Sequence, residues 1–392
     1  MKTKNLVGAI TLVLSSSVVA MQPQAYITNS GIAVTPMINA GYKYDDNIFS
    51  QPTDTKSSGI LIVAPSVNFS VDDGINSHQV DINIESASFA DSEDDDYVTG
   101  GLSYQTHLEP SSSSRFDISL GTNRGVEPRG TGITEGLGDA IDEPLLFDEQ
   151  TAEITYEYGS LSSSARVAFD AGYYKKNYSN FESFTQSRNF DSSSIGSTFF
   201  YTTNSGTDAF VELKADAISY DVSEAISRDS DVFTASVGIT WEATALTSGT
   251  LKIGQQQKKF TDPLRKDFDG LSWDASVQWQ PLSYTTFSVN SSRNAKDPNV
   301  VGDYINESIY GVNWQHLWNE KLSTSLSYNF TDEDYSGVSR TDETTTISAN
   351  LTYELRRWMD VSVYFDSTDR DSSTNNIAFD KSIVGISFTF SL

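Results

Sequence analysis

The stretch Val384-Gly385-Ile386-Ser387-Phe388-Thr389-Phe390-Ser391-Leu392 places a large apolar side chain at every second position. Successive side chains of a strand point to opposite faces, so Val384, Ile386, Phe388, Phe390 and Leu392 form one apolar stripe. Gly385, Ser387, Thr389 and Ser391 face the other way. An apolar strand left open is an aggregation edge, and closing a barrel in lipid removes that edge.

The same period recurs upstream. Phe233, Ala235, Val237, Ile239 and Trp241 oppose Thr234, Ser236, Gly238, Thr240 and Glu242; Leu271, Trp273, Ala275, Val277 and Trp279 oppose Ser272, Asp274, Ser276, Gln278 and Gln280. Eighteen such segments are centred near residues 38, 65, 83, 102, 118, 154, 170, 196, 214, 236, 252, 274, 288, 309, 327, 348, 364 and 385. An even number fits an all-β, transmembrane antiparallel β-barrel with both termini in the periplasm. Soluble sandwiches also alternate, but their strands are typically shorter and turn their polar face outward.

Turn lengths sort by side. Tight connections are expected at Asp72-Asp73-Gly74, Tyr158-Gly159-Ser160, Asn204-Ser205-Gly206, Gln280-Pro281-Leu282, Trp318-Asn319-Glu320 and Arg356-Arg357. Longer ones are expected over Asp91 to Asp96, residues 124–147, residues 179–189 and Asp332 to Arg340. Short turns are periplasmic and long loops extracellular in barrels of this type. Tryptophan prefers the membrane–water interface, and Trp241, Trp279, Trp314, Trp318 and Trp358 all fall on the expected periplasmic rim, with Trp273 the exception.

The opposite end carries Lys2 and Lys4, an apolar run from Leu6 to Leu14 and the small-residue site Val18-Val19-Ala20, the pattern of a cleaved secretory signal. Residues 1–20 are therefore expected to be removed, with Ala25 as a second cleavage position, residues 21–30 to form a short periplasmic segment and residues 31–392 the barrel. No run of about 20 apolar residues follows, which excludes transmembrane helices. Without cysteine there is neither a disulfide framework nor a thiolate metal site.

The formal charge of −27 argues against nucleic acid as a partner, because phosphate binding needs a basic surface. Much of the acid lies in expected outer loops, notably Asp91, Glu93, Asp94, Asp95 and Asp96, where it solvates exposed chain or, in a sharper reading, bridges to anionic surface sugars through divalent cations.

Charges inside strands must point inward when their neighbours meet lipid. On this ground Asp81, Glu85, Asp117, Arg166, Asp170, Glu212, Lys214, Asp216 and Asp274 are pore-lining candidates. Eighteen strands enclose an interior wide enough for an aqueous channel, although a wide barrel can be plugged. His78, His107 and His316 are scattered along one rim, and no metal-ligand spacing, catalytic arrangement or phosphate-binding glycine loop accompanies them. No enzyme and no cofactor is expected.

Two resemblances add to this reading. The carboxyl-terminal stretch resembles the terminal strand by which Gram-negative outer-membrane barrels are recognised by the assembly machinery, although those usually finish on Phe and this one on Leu392. The segment Gly41-Tyr42-Lys43-Tyr44-Asp45-Asp46-Asn47-Ile48-Phe49 resembles the first hairpin of a family of β-barrel porins often encoded in exopolysaccharide or capsule operons. Asp45-Asp46-Asn47 also suits a plain turn. That resemblance implies an outer-membrane conduit exporting a polysaccharide chain together with a periplasmic polysaccharide co-polymerase. A general diffusion porin for small solutes and a non-conducting surface receptor or adhesin are the alternatives.

The connection 124–147 is the longest, and it holds Gly125, Gly130, Gly132, Gly136, Gly138 and the apolar Leu145-Leu146-Phe147. Long ordered loops usually have a role. Partial folding into the lumen is one expectation and a mobile outer loop the other. In the first case Glu135, Asp139, Asp142 and Glu143 would bias passage towards cations or neutral sugars.

Overall fold

A computed structural model describes residues 25–203, 206–222, 224–244 and 246–391. The expected leader, Asn204, Ser205 and Leu392 lie outside these residues. A two-residue strand, β1 (Tyr26–Ile27), precedes the wall. The wall begins with β2 (Ala33–Asp45), β3 (Ser58–Asp72), β4 (Ser77–Phe89), β5 (Tyr97–Ser111), β6 (Ser114–Glu127) and β7 (Leu145–Tyr158). It continues through β8 (Ala165–Tyr178), β9 (Phe190–Thr202), β10 (Asp208–Tyr220), β11 (Ser230–Thr244), β12 (Thr247–Phe260) and β13 (Phe268–Leu282). It ends with β14 (Thr285–Lys296), β15 (Ile305–Asn319), β16 (Leu322–Tyr335), β17 (Arg340–Arg356), β18 (Met359–Ser372) and β19 (Phe379–Ser391).

Each strand of the wall pairs antiparallel with the next, and β19 closes on β2 from Ile383↔Asp45 to Ser391↔Met37. The result is an eighteen-stranded barrel with β1 added beside β2. Closure satisfies the backbone of every wall strand from a neighbour, the condition for crossing lipid.

Alternation decides which face each side chain takes. Val384 is 50% exposed and Ile386 38%, on the outside of β19. Phe233, Val237 and Ile239 are likewise exposed on β11, as are Leu326 and Tyr328 on β16. In water this surface would be a gross liability, whereas lipid is the solvent that suits it.

Wall strands run from 12 to 17 residues, longer than the 9–11 or so that a tilted strand needs to cross. The surplus projects at the long-loop end, where outward Arg124 and Asp148 pair at 3.2 Å above the apolar band. Short turns close the opposite end, among them residues 112–113, 283–284, 320–321 and 357–358. One turn shows the chemistry: Asp72 Oδ1 accepts from the Gly74 amide at 2.6 Å and Asp73 Oδ1 from the Asn76 amide at 2.6 Å, while Gly74 takes φ +86°. A ring of aromatics marks this rim, with Trp358 stacked on Phe390, Trp279 on Phe287 and Trp318 against Trp314.

Three expected loop boundaries are corrected. Arg124 to Glu127 and Leu145-Leu146-Phe147 belong to β6 and β7, paired across from one another, so the long connection is 128–144. Asp332 to Tyr335 continues β16 in register with Arg340 to Glu343, leaving only residues 336–339 as the turn. Gln280, Pro281 and Leu282 remain in β13. In each case cross-strand pairing extends beyond the point where apolar alternation stops, because ladder bonds do not require apolar side chains.

Candidate functional site

Two loops of the long-loop end fold inward. The first is 128–144. Arg129 grips Asp95 with two hydrogen bonds, Nε to Oδ1 at 2.8 Å and Nη2 to Oδ2 at 2.5 Å, donates to the carbonyl of Ile141 at 2.9 Å, and lies over the Phe49 ring. Gly130 takes φ +78°, and a Cβ there would fall 1.7 Å from the Phe49 carbonyl oxygen, so only glycine lets the loop seat this closely. At its far point Glu135 is held by Arg340 at 2.6 and 2.9 Å. Arg340 also binds Asp342, and Asp342 takes Arg370 at 2.6 Å. Both Glu135 and Asp342 are buried.

The segment Asp45 to Phe49 underlies this arrangement. Asn47 is 1% exposed. Its Nδ2 donates to the carbonyls of Gln51 and Asp380, both at 2.8 Å, which ties β2 to the start of β19. Ile48 and Phe49 pack with Ile60 and Ala87. The acidic turn is thus part of the closing seam and a seat for the loop.

The second inward loop is 297–304. β14 pairs with β13 only as far as Arg293, and the Gln256 side chain of β12 takes the Ala295 amide at 2.7 Å, which carries the chain towards the lumen. Three arginines from three neighbouring loops hold it by backbone carbonyls. Arg188 donates to Asn299 at 2.8 Å, Arg228 to Pro298 and Val300 at 2.9 Å, and Arg265 to Gly302 at 2.9 Å. Glu224 sits among them, bonded to Arg188 and Arg228. Burial opposes its charge, but these hydrogen bonds outweigh burial and hold its carboxyl below the ordinary range. Lys258, itself buried, completes the grip on Asp297 at 2.9 Å.

Between the two loops and the wall lies a cavity of about 480 Å3, bounded by Ile133 of the first loop and Pro298 of the second. A row of rings on three adjacent strands forms its floor: Tyr174, Phe190 and Tyr220, with centroids 5.5 and 5.4 Å apart.

All nine strand charges singled out in the sequence lie on the inward face. Asp81 accepts from Asn68 and Gln79, Glu85 from Tyr97, and Asp117 pairs with His107 at 2.7 Å. Arg166 bridges Glu157 and Asp208 at 3.0 and 2.8 Å. Lys252 pairs with Glu212 at 3.0 Å and stands opposite Asp274 in the ladder, and Lys214 meets Asp216 at 3.1 Å. Asp170 faces Gly196, where a Cβ would stand 2.4 Å from its oxygens. They make a polar lining spread over several strands.

Among the loop acids, Asp139, Asp142 and Glu143 are exposed, whereas Glu135 is neutralised by Arg340. Asp95, read as a solvated carboxylate, is buried under Arg129 because a bidentate partner reaches it from another loop. His78, His107 and His316 all lie at the short-turn end, and among the described residues no group of three or more acidic or His side chains is arranged for a metal. Alternation gave no sign of Arg188, Arg228, Arg265 or Arg340, which stand in or beside loops. Tyr174 shares the inward parity of Arg166 and Asp170 on β8, whereas the barrel brings it beside Phe190 and Tyr220.

The family model described as "Putative beta-barrel porin 2" matches residues 31–392. The chain belongs to this family of outer-membrane β-barrel porins. Solved structures agree in fold. The BenF-like porin from Pseudomonas fluorescens Pf-5 is 9% identical, with 93% of this chain and 99% of that chain covered and a TM-score of 0.51. OccK2 (OpdF) of Pseudomonas aeruginosa is 9% identical, covering 92% and 98%, with a TM-score of 0.52. OccK9 (OpdG) of the same organism is 10% identical, covering 94% and 100%, with a TM-score of 0.51. No curated protein matches the chain. The porin is an integral protein of the outer membrane.

Proposed function

We propose that this porin is a channel for hydrophilic solutes whose passage is set by the two inward loops at its mouth, with the short-turn end and both termini in the periplasm. The observation that carries the reading is loop 128–144, tied across the barrel from Asp95 on one side to Arg340 on the other above a polar lumen. The short turns at that end support the orientation, since barrels of this type keep short turns in the periplasm and long loops outside. The nine inward charges line the passage, and Asp139, Asp142 and Glu143 stand at its entrance.

The experiment is conductance in planar bilayers. Deleting residues 129–143 raises the single-channel current. An unchanged current would remove the loop from the passage while leaving the barrel intact.

Export of an exopolysaccharide is the finer form of this reading. It draws support from the first-strand segment Gly41 to Phe49 and from the aromatic row in the lumen. In it a periplasmic polysaccharide co-polymerase docks at the short-turn rim and feeds the chain upward, after barrel-assembly machinery has recognised Val384, Ile386, Phe388, Phe390 and Leu392. Loss of surface polysaccharide on deleting the gene, restored by the intact barrel, tests it; undiminished surface polysaccharide rejects export and leaves general diffusion.

A further inference from the structure

From the lining of the cavity between the loops we infer a binding subsite for a sugar residue that carries a carboxylate. The inference rests on the conduction reading only for how the sugar arrives. Three features converge on it.

The first is the aromatic floor. Tyr174, Phe190 and Tyr220 form a continuous row, and the Tyr174 hydroxyl is already committed to Glu149 at 2.5 Å, so its ring is held in place. Tyr178 beside them is fixed in the same way by Glu127 at 2.9 Å. These rings give the cavity an apolar surface, and the C–H face of a pyranose is the part of a sugar that rests against one. Aromatic walls with a few placed polar groups are the usual make-up of a small-molecule site, and the volume falls within the roughly 300–1,000 Å3 of such sites.

The second is polarity. Ser192, Asp216, Gln256 and Asn299 border the same space and supply donors and acceptors for hydroxyl groups.

The third is charge. In a chain of net charge −27, the cavity presents Lys176, Arg188, Lys258 and Lys296 against only Asp216 and Asp297. Arg188, Lys258 and Lys296 are engaged with Glu224, Asp297 and the pair Glu307 and Glu333. Lys176 differs. Its ammonium keeps a looser ion pair, 3.8 Å from Glu127 and beyond hydrogen-bond distance, and rests over the Phe147 and Tyr178 rings at 3.9 and 4.9 Å. An incoming carboxylate next to the floor can take the hydrogen bonds that this pair does not make. A neutral sugar would use the floor and leave this cation unanswered. A plain aromatic acid would use both and leave the hydroxyl partners unmet.

The test is calorimetric titration of the folded, detergent-solubilised barrel, which reads binding whether or not the barrel conducts. Trigalacturonate, maltotriose and benzoate are the probes. Trigalacturonate binds at least tenfold more tightly than either of the others. Phe190→Ala weakens both sugars tenfold or more, whereas Lys176→Gln weakens trigalacturonate alone. Ser192→Trp, which fills the cavity without removing a wall, abolishes binding, and heat-modifiable migration on gels confirms that each variant is folded. Absence of trigalacturonate binding to the folded wild-type barrel overturns the proposal. So does equal affinity for maltotriose, tighter binding of benzoate, or trigalacturonate affinity that survives Ser192→Trp. Failure of the conduction reading shows separately, as a wild-type barrel that carries no current.

Discussion

The guanidinium of Arg129 lies 4.1 Å from the centroid of the Phe49 ring. This contact joins the acidic turn at the end of β2, which also closes the barrel through Asn47, to the loop that crosses the mouth. Closure of the wall and placement of the loop therefore share one hub.

Asp95→Ala leaves Arg129 buried without its carboxylate, and breaking a buried pair in this way costs on the order of 3–5 kcal/mol. The expected outcome is local: loop 128–144 detaches while the strands persist. Limited trypsin digestion checks it, since cleavage after Arg129 becomes rapid in the variant and stays slow in the wild-type barrel.

Selectivity follows the exposed acids. Replacing Asp139, Asp142 and Glu143 by their amides weakens cation preference, seen as a smaller reversal potential under a salt gradient. Glu135→Gln leaves Arg340 without that carboxylate, so it too lowers cation preference, and it adds current noise from a looser loop.

Acid loosens the second loop. The Glu224 carboxyl is held below its ordinary value by Arg188 and Arg228, despite burial. Its contribution is fully present above the unfolded value, about 4.3, and is lost as pH falls through the lowered native value. Conductance should step up over that acid range. In Glu224→Gln the step is absent, and the current is already raised at neutral pH.

The proposed recognition by the assembly machinery makes the outward face of β19 a test. Phe390 stacks on Trp358 at 6.3 Å, and Phe390→Asp sets a charge at the lipid boundary. A charge there costs less than the 2–4 kcal/mol or so of the midplane, so the larger loss comes through recognition. Quantitative blotting of outer-membrane fractions should show a several-fold fall.

Orientation is read by labelling intact cells with a membrane-impermeant thiol reagent. Cysteine at Asp94 or Asp334 reacts and cysteine at Leu161 does not. Leu161 is preferred to Gly159, where φ is +125° and a Cβ would lie 2.9 Å from the Ala165 carbonyl oxygen. Labelling at Leu161 alone would invert the barrel.

The sequence by itself determined the wall. Its signal is local: a side chain's face depends on a period of two, so the terminal stripe through Val384 and Ile386 and the inward Asp81, Glu212 and Asp274 were legible without knowing what any strand pairs with. Strand ends were less legible, because ladder pairing carries β6, β7, β16 and β17 past the point where apolar residues stop. The mouth was decided by the tertiary structure alone. Glu135 and Arg340 are 205 residues apart, and Arg188 lies 111 residues from the carbonyl of Asn299. No spacing along the chain announces such pairs. Loop acids read one by one look like solvated charge, and only closure of the barrel brings the arginines that bury Asp95 and Glu135.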